Sequence, residues 1–252
     1  MNCNAVVSNS ETCQKYHIGG PCLFPIVSIV DPSYQATLPW YQTVNGAIDV
    51  FAHLWEAYAM FVPCNKPITA IRYVESLMLA TLDALEALHL QPEAYQPRAD
   101  LCWAATLALN FSTTAPLNGG DWFTHMLEHA VSAVNTSVSH GAGLGVIIPA
   151  YWKFLVKHRP EQIVTLQRLA KNVFNVETID EMCSAFKGLL RRYGHPTTLS
   201  EPISALGDTG LFNSVDASVK RQIVDVYHGR TGFYGFFKVT HDEAVEIVDS
   251  IC

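Results

Sequence analysis

TVNGAIDVFAHLWEAYAMFV, residues 43–62, decides the fold. Its apolar residues cover nearly every face of a 3.6-residue period, so the stretch predicts a helix enclosed by other helices. Asp49 and His53 stand four apart on one face of it, with Cβ atoms about 6 Å apart, so both side chains can reach one point. That face is otherwise apolar, and a buried aspartate is costly unless it is paired or bound to a cation. An Asp–His hydrogen bond inside a helix is the plain account of this pair taken alone.

Working outward, most of the chain after Leu38 predicts helix. Residues 67–90 open with Pro67, suited to a first turn, and continue amphipathically through Met78, Leu79, Leu82, Leu85 and Leu88. Residues 98–112 and 119–136 follow, then 141–157, where Pro149 predicts a kinked or two-part helix. Further helices are expected over 161–174, over 215–228 and over 241–251. Thr178-x-x-Glu181 and Thr240-x-x-Glu243 are capping boxes, the first opening a helix that ends near Gly194. Residues 22–30, CLFPIVSIV, predict one buried strand ended by Asp31-Pro32, although the chain offers few strands to pair with it. The expected fold is mainly α, with eight or nine helices after a short strand-bearing start.

Composition narrows the function classes. The 252 residues are 49% hydrophobic and 15% charged, with net charge −7, against roughly 25% charged in an ordinary soluble domain. Disorder is excluded. The longest basic cluster is Arg191–Arg192, which argues against nucleic acid. No apolar stretch approaches the ~20 residues of a membrane span. The start lacks a basic n-region and an apolar h-region, so no signal peptide is expected and the protein is expected in the cytoplasm. The seven cysteines form no Cys-x-x-Cys pair and are expected as reduced thiols, several in the core.

A second histidine pair lies in His125-Met-Leu-Glu128-His129, on a helix made largely apolar by Phe123, Met126, Leu127, Val131 and Val134. His140 follows, just before Gly141. Together Asp49, His53, His125 and His140 make three imidazoles and one carboxylate, a mixed donor set suited to Fe(II), Zn(II) or another divalent first-row metal. A competing motif is present, because His125-x-x-Glu128-His129 matches the inverted zinc-peptidase pattern, with Glu128 as the water-activating base. That hydrolase reading leaves Asp49, His53 and His140 unexplained, and it would be favoured by Asp49 and His53 lying more than about 8 Å from His125. Gly141-Ala-Gly143-Leu-Gly145 follows a helix rather than a strand, so it predicts close helix packing or a tight approach to His140, not a phosphate loop. No Gly-x-Ser-x-Gly elbow is present.

Read in order, Asp49-x-x-x-His53, Asp121-Trp122-x-x-His125-Met-x-x-His129 and His140 with Leu144-Gly-Val-Ile-Ile-Pro149 resemble the iron-containing (group III) alcohol dehydrogenases. The nearest look is to their butanol dehydrogenase and NADPH-dependent aldehyde reductase branch. Asn4-Ala-Val-Val-Ser, Asp31-Pro32-x-Tyr34, Leu38-Pro39, Val44-Asn45-Gly46 and Trp103-Ala-Ala-Thr-x-Ala-Leu-Asn110 support it. The motifs run from Asn2 to about Val156, and beyond that the likeness is one of helix pattern. The span from His129 to His140 is one residue longer than in that branch.

The resemblance implies a metal-dependent alcohol dehydrogenase or aldehyde reductase, exchanging hydride between NAD(P) and a small alcohol or aldehyde. Asp49, His53, His125 and His140 would hold the metal, Fe(II) first and Zn(II) as the other choice. His129 would be catalytic, relaying a proton beside the metal, and Lys15 would face the nicotinamide-side ribose. Trp122 and Phe123 would wall the site or pack the core. The implied architecture is an all-helical metal-binding domain over 41–252, preceded by a remnant of an α/β nucleotide-binding domain over 1–40. The glycine-rich phosphate loop of the family lies ahead of the motif that begins here at Met1-Asn2, so the chain is expected to be the C-terminal two-thirds of such an enzyme. A homodimer is implied for the full-length family. The other readings are a non-catalytic metal-binding fragment and the zinc hydrolase.

Overall fold

The computed structural model describes residues 2–62, 65–114, 120–229 and 235–252. Met1, Cys64 and Gly119, which enter the reading above, lie outside the described residues.

The chain opens with an antiparallel hairpin, β1 (Asn4–Asn9) and β2 (Gln14–Gly19), in register from Asn4 opposite Gly19 to Asn9 opposite Gln14. Asn9 shapes the turn, its Oδ1 accepting from the backbone N–H groups of Glu11 and Thr12 at 3.0 and 3.3 Å. This is a side-chain mimic of a backbone turn.

The strand expected over 22–30 is not formed. Among the described residues the only sheet is the hairpin, and 22–30 runs as an exposed connection. Ile26 and Ile29, expected in the interior, are 101% and 89% exposed. The cause is the one the sequence hinted at: a strand needs a neighbour for its backbone groups, and no described segment supplies one. The apolar run is real, but apolarity alone does not bury a segment.

Nine helices follow among the described residues: α1 (Trp40–Ala59), α2 (Ile68–Leu90), α3 (Tyr95–Ala108), α4 (Phe123–Val134), α5 (His140–His158), α6 (Ile163–Val173), α7 (Ile179–Arg192), α8 (Ala217–His228) and α9 (His241–Ser250). The helix α1 is central as expected, packing on α2, α3, α4 and α5. It buries Val44, Phe51, Leu54, Trp55 and Tyr58 on different faces. Pro149 neither breaks nor divides α5, which runs through it as one helix. Residues on both sides of Pro149 are buried, and that packing holds the turn from which proline removes a hydrogen bond.

Both capping boxes form. Thr178 accepts from the backbone of Glu181 while the Glu181 carboxylate accepts from the Thr178 N–H, and Thr240 with Glu243 repeats the arrangement. Replacing Thr178 by alanine should cost about 1 kcal/mol. Thermal unfolding should show this as a fall of roughly 2–4 °C for a chain of this size.

The glycines of α5 fix how closely the helices meet. A Cβ at Gly141 would stand 2.1 Å from the backbone oxygen of Asn45 in α1. One at Gly145 would meet Leu190 at 3.2 Å, and one at Gly143 would meet the Glu128 side chain at 2.9 Å. Close packing, the reading favoured for this glycine run, is what the geometry displays.

Candidate metal centre

Three helices deliver the polar side chains. On α1, Asp49, His53 and Glu56 occupy positions i, i+4 and i+7, one stripe down a single face. On α4, His125, Glu128, His129 and Ser132 repeat that spacing, and His140 is the first residue of α5. The close backbone approach of Gly141 to Asn45, which leaves no room for a Cβ, is what brings the start of α5 to the stripe on α1.

The four side chains expected as metal donors converge. Asp49 Oδ1 lies 3.2 Å from His125 Nε2, 3.5 Å from His53 Nε2 and 3.5 Å from His140 Nε2. Donors about 2.0–2.1 Å from one tetrahedral ion lie roughly 3.3 Å from each other, so these separations suit a shared cation. The grouping is uneven. Asp49, His53 and His125 form one triad of mutually close donor atoms and Glu128, His129 and His140 a second, each within 4.8 Å. The Asp49–His140 contact joins them.

Two buried carboxylates stand behind the imidazoles. Glu56 Oε2 meets His125 Nδ1 at 2.6 Å, and its Oε1 accepts from the His125 backbone N–H at 3.0 Å. Glu56 thereby caps the start of α4, which has no side-chain cap of its own, and orients the ring that α4 carries. Glu128 Oε2 meets His140 Nδ1 and Lys15 Nζ, the latter at 3.1 Å. A carboxylate can only accept, so both rings carry a proton on Nδ1 and turn Nε2 toward Asp49. Three nitrogens around one carboxylate oxygen call for positive charge among them, either a proton or a metal ion.

The protonation of the cluster reflects that demand. Burial opposes the Asp49 carboxylate, but His53, His125 and His140 overcome it and hold Asp49 well below the usual carboxylate range. Burial and the neighbouring His125 charge push His53 down to about 3, against the pull of Asp49. Burial would lower His125 too, but Glu56 and Asp49 outweigh it and lift the ring to about 10. Burial works against ionised Glu128 as well, and His140 and Lys15 bring it below its ordinary value.

The other expected site residues divide. His129 is buried beside the donors, its ring centroid 5.3 Å from that of His140 and 6.4 Å from that of His125. Trp122 stands edge-on to His53 and His125, 5.7 Å from each, and forms a wall of the site. Phe123 is core instead, stacked on Tyr151 at 4.2 Å. Lys15, on β2, points into the cluster, donating to Ser132 Oγ at 2.8 Å and lying 3.4 Å from His140 Nδ1.

Three supporting residues escaped the sequence reading in these roles: Glu56, Glu128 and Asp121. Glu56 had a usable signal, since it lies seven residues after Asp49 on the same helix face. Asp121 is fully buried and binds the backbone N–H groups of Phe236 and Phe237 at 2.9 and 3.0 Å and the Tyr151 hydroxyl at 2.7 Å. Burial lifts it to about 7 despite those donors. Its backbone N–H donates to the Glu56 carbonyl at 3.0 Å, which fixes where α4 begins. Trp122 follows with φ of +63°, a conformation uncommon for a bulky residue and held here by the anchored neighbour.

The inverted zinc-peptidase reading does not match this geometry. Asp49 lies against His125 rather than apart from it, and the His53 and His125 rings stack at 4.2 Å. The Glu128 carboxylate is engaged by His140 and Lys15.

The fold and the site have counterparts among known proteins. Residues 43–225 match the Fe-containing alcohol dehydrogenase family, C-terminal. The probable NADH-dependent butanol dehydrogenase 1 of Bacillus subtilis is 35% identical over 177 residues, 70% of this chain and 44% of that protein. The NADPH-dependent aldehyde reductase YqhD of Escherichia coli is 33% identical over 210 residues, 79% of this chain and 51% of that protein. The crystal structure of NADH-dependent butanol dehydrogenase A from Thermotoga maritima superposes with a TM-score of 0.86 at 31% identity, covering 100% of this chain and 62% of that one. The chain spans about half the length of the curated relatives it matches. With the helical fold, the ordered motifs and the matched residues in agreement, the chain belongs to the Fe-containing alcohol dehydrogenase family and corresponds to its C-terminal part.

Proposed function

We propose that Asp49, His53, His125 and His140 hold one divalent metal and that the whole enzyme interconverts a small alcohol and its aldehyde with NAD(P). The observation that carries this reading is the Asp49 carboxylate oxygen with three imidazole nitrogens at 3.2–3.5 Å. The donor chemistry fits Fe(II) or Zn(II). When bound, the metal supplies Lewis acidity toward an alcohol or carbonyl oxygen and the nicotinamide supplies the hydride chemistry.

The chain's own residues have separable tasks. Glu56 holds His125 in the tautomer that turns Nε2 inward. Trp122 closes one side of the site against water. His129, buried beside His140, is placed to pass a proton between the reacting oxygen and solvent, since imidazole titrates near neutral pH. Lys15, the residue the resemblance sets toward the dinucleotide, has its Nζ engaged by Glu128 and Ser132, and the sequence has no glycine-rich phosphate loop. We therefore assign residues 1–40 to the edge of an α/β nucleotide-binding part and residues 41–252 to the metal-binding part. The length of the relatives that this chain does not span supports that division. The second reading, a metal-binding part that does not catalyse by itself, rests on the same four donors.

Elemental analysis of the purified chain, with alcohol oxidation and calorimetric titration of NAD(P)H alongside, tests both. About one divalent metal per chain with weak or absent dinucleotide binding is expected. Micromolar NAD(P)H binding by this chain would overturn the division at residue 40, and absence of metal after reconstitution would overturn the site.

A further inference from the structure

Glu128 is the residue of the His125-x-x-Glu128-His129 motif that the oxidoreductase reading leaves without a task. It is fully buried, and its Oε2 is shared by His140 Nδ1 and Lys15 Nζ. Three elements meet there: Glu128 comes from α4, His140 from the first turn of α5 and Lys15 from β2. Lys15 is held in turn by Ser132, one helical turn beyond Glu128, at 2.8 Å. Gly143 makes room for this arrangement, since a Cβ there would stand 2.9 Å from Glu128 Cγ and 3.1 Å from Oε1. The missing side chain lets Glu128 lie flat against α5, directly behind His140.

A sealed carboxylate without partners is strongly unfavourable, and here both partners are cationic or proton-donating. The arrangement repeats what Glu56 does for His125: a carboxylate on Nδ1, with Nε2 toward Asp49. His140 needs such support most. It is the first residue of its helix and the most solvent-accessible of the three inward-turned rings.

We propose that Glu128 is a positioning residue that fixes His140 as the fourth metal donor, and that Lys15 of the hairpin holds Glu128 in that place. The inference rests on the metal-site reading under Proposed function. It gives Glu128 a role opposite to that of a water-activating base, because its Oε2 is engaged by His140 and Lys15 and the side chain does not reach solvent.

Cobalt(II) is the probe, bound to the full chain, with affinity from chelator competition and geometry from visible absorption. Loss of a carboxylate behind a ligating histidine costs about 10–100-fold in metal affinity. Glu128→Ala should fall near the upper end of that range and change the cobalt absorption, as His140 is released to turn. Glu128→Gln keeps an acceptor and should recover part of both. Lys15→Met, on the partly open hairpin, should weaken cobalt by about tenfold with the fold intact by circular dichroism, which keeps the test open should Glu128→Ala misfold. Wild-type affinity and an unchanged spectrum in both Glu128→Gln and Lys15→Met would overturn the inference. Weakening in Glu128→Gln with wild-type behaviour of Lys15→Met would overturn the hairpin's part in it. Failure of the unmodified chain to bind cobalt would instead overturn the metal-site reading, so the two failures are distinguishable.

Discussion

Adding one methyl group at Gly141 should lower stability by about 3 kcal/mol, at the severe end of overpacking. The methyl would lie 2.1 Å from the Asn45 oxygen and 2.6 Å from the Asn45 Cα, and both obstacles are backbone. No rotamer change relieves such a clash, so α1 and α5 must separate. Those helices carry Asp49, His53 and His140, so the separation should also open the proposed metal site. Thermal unfolding of Gly141→Ala should fall by roughly 6–12 °C, at 2–4 °C per kcal/mol for a chain of this size. Gly188→Ala is the control: it lies exposed in α7 with nothing within 4 Å of the added carbon, and alanine there should stabilise by about 0.5–1 kcal/mol. Equal melting temperatures for the two variants would contradict the packing argument.

Asp49→Ala should have the largest effect on metal. Asp49 is the one oxygen donor of the proposed set and the point on which three imidazole nitrogens converge. Groups behind a ligand cost about 10–100-fold when removed, so the anionic donor itself should cost more than about 100-fold. The helix should survive, since alanine is the best helix former and Asp49 is only partly buried. Zinc or cobalt affinity by chelator competition, with circular dichroism on the same sample, measures both. A variant with wild-type stoichiometry and affinity would remove Asp49 from the site.

Much of this was legible in the chain. Helix periodicity placed α1 and α2 within a few residues, and the Thr178 and Thr240 boxes marked two helix starts to the residue. Spacing within a helix also placed which polar side chains share a face: Asp49 with His53, and His125 with His129. What spacing could not supply was which polar residue answers which across helices. Glu56 shares a face with Asp49 and Glu128 sits in a histidine motif, but that they answer His125 and His140 appears only once α1, α4 and α5 are docked. Trp122 and Phe123 were indistinguishable in sequence, yet a positive φ turns one to the site while the next residue packs on Tyr151. The error at 22–30 came from reading hydrophobicity as burial when the backbone partners were not in hand.

That exposed stretch has a consequence for how the chain behaves in concentrated solution. Ile26, Val27, Ile29 and Val30 present β-branched side chains to water, beside backbone groups that no described strand engages. Segments of this composition are the ones that self-associate through their edges. Pro25 and Ser28 interrupt the run, one removing a hydrogen-bond donor and the other lowering the apolar density. Both residues are of the gatekeeper kind that interrupts an exposed apolar run, so replacing Pro25 and Ser28 by valine should raise the tendency of the chain to self-associate.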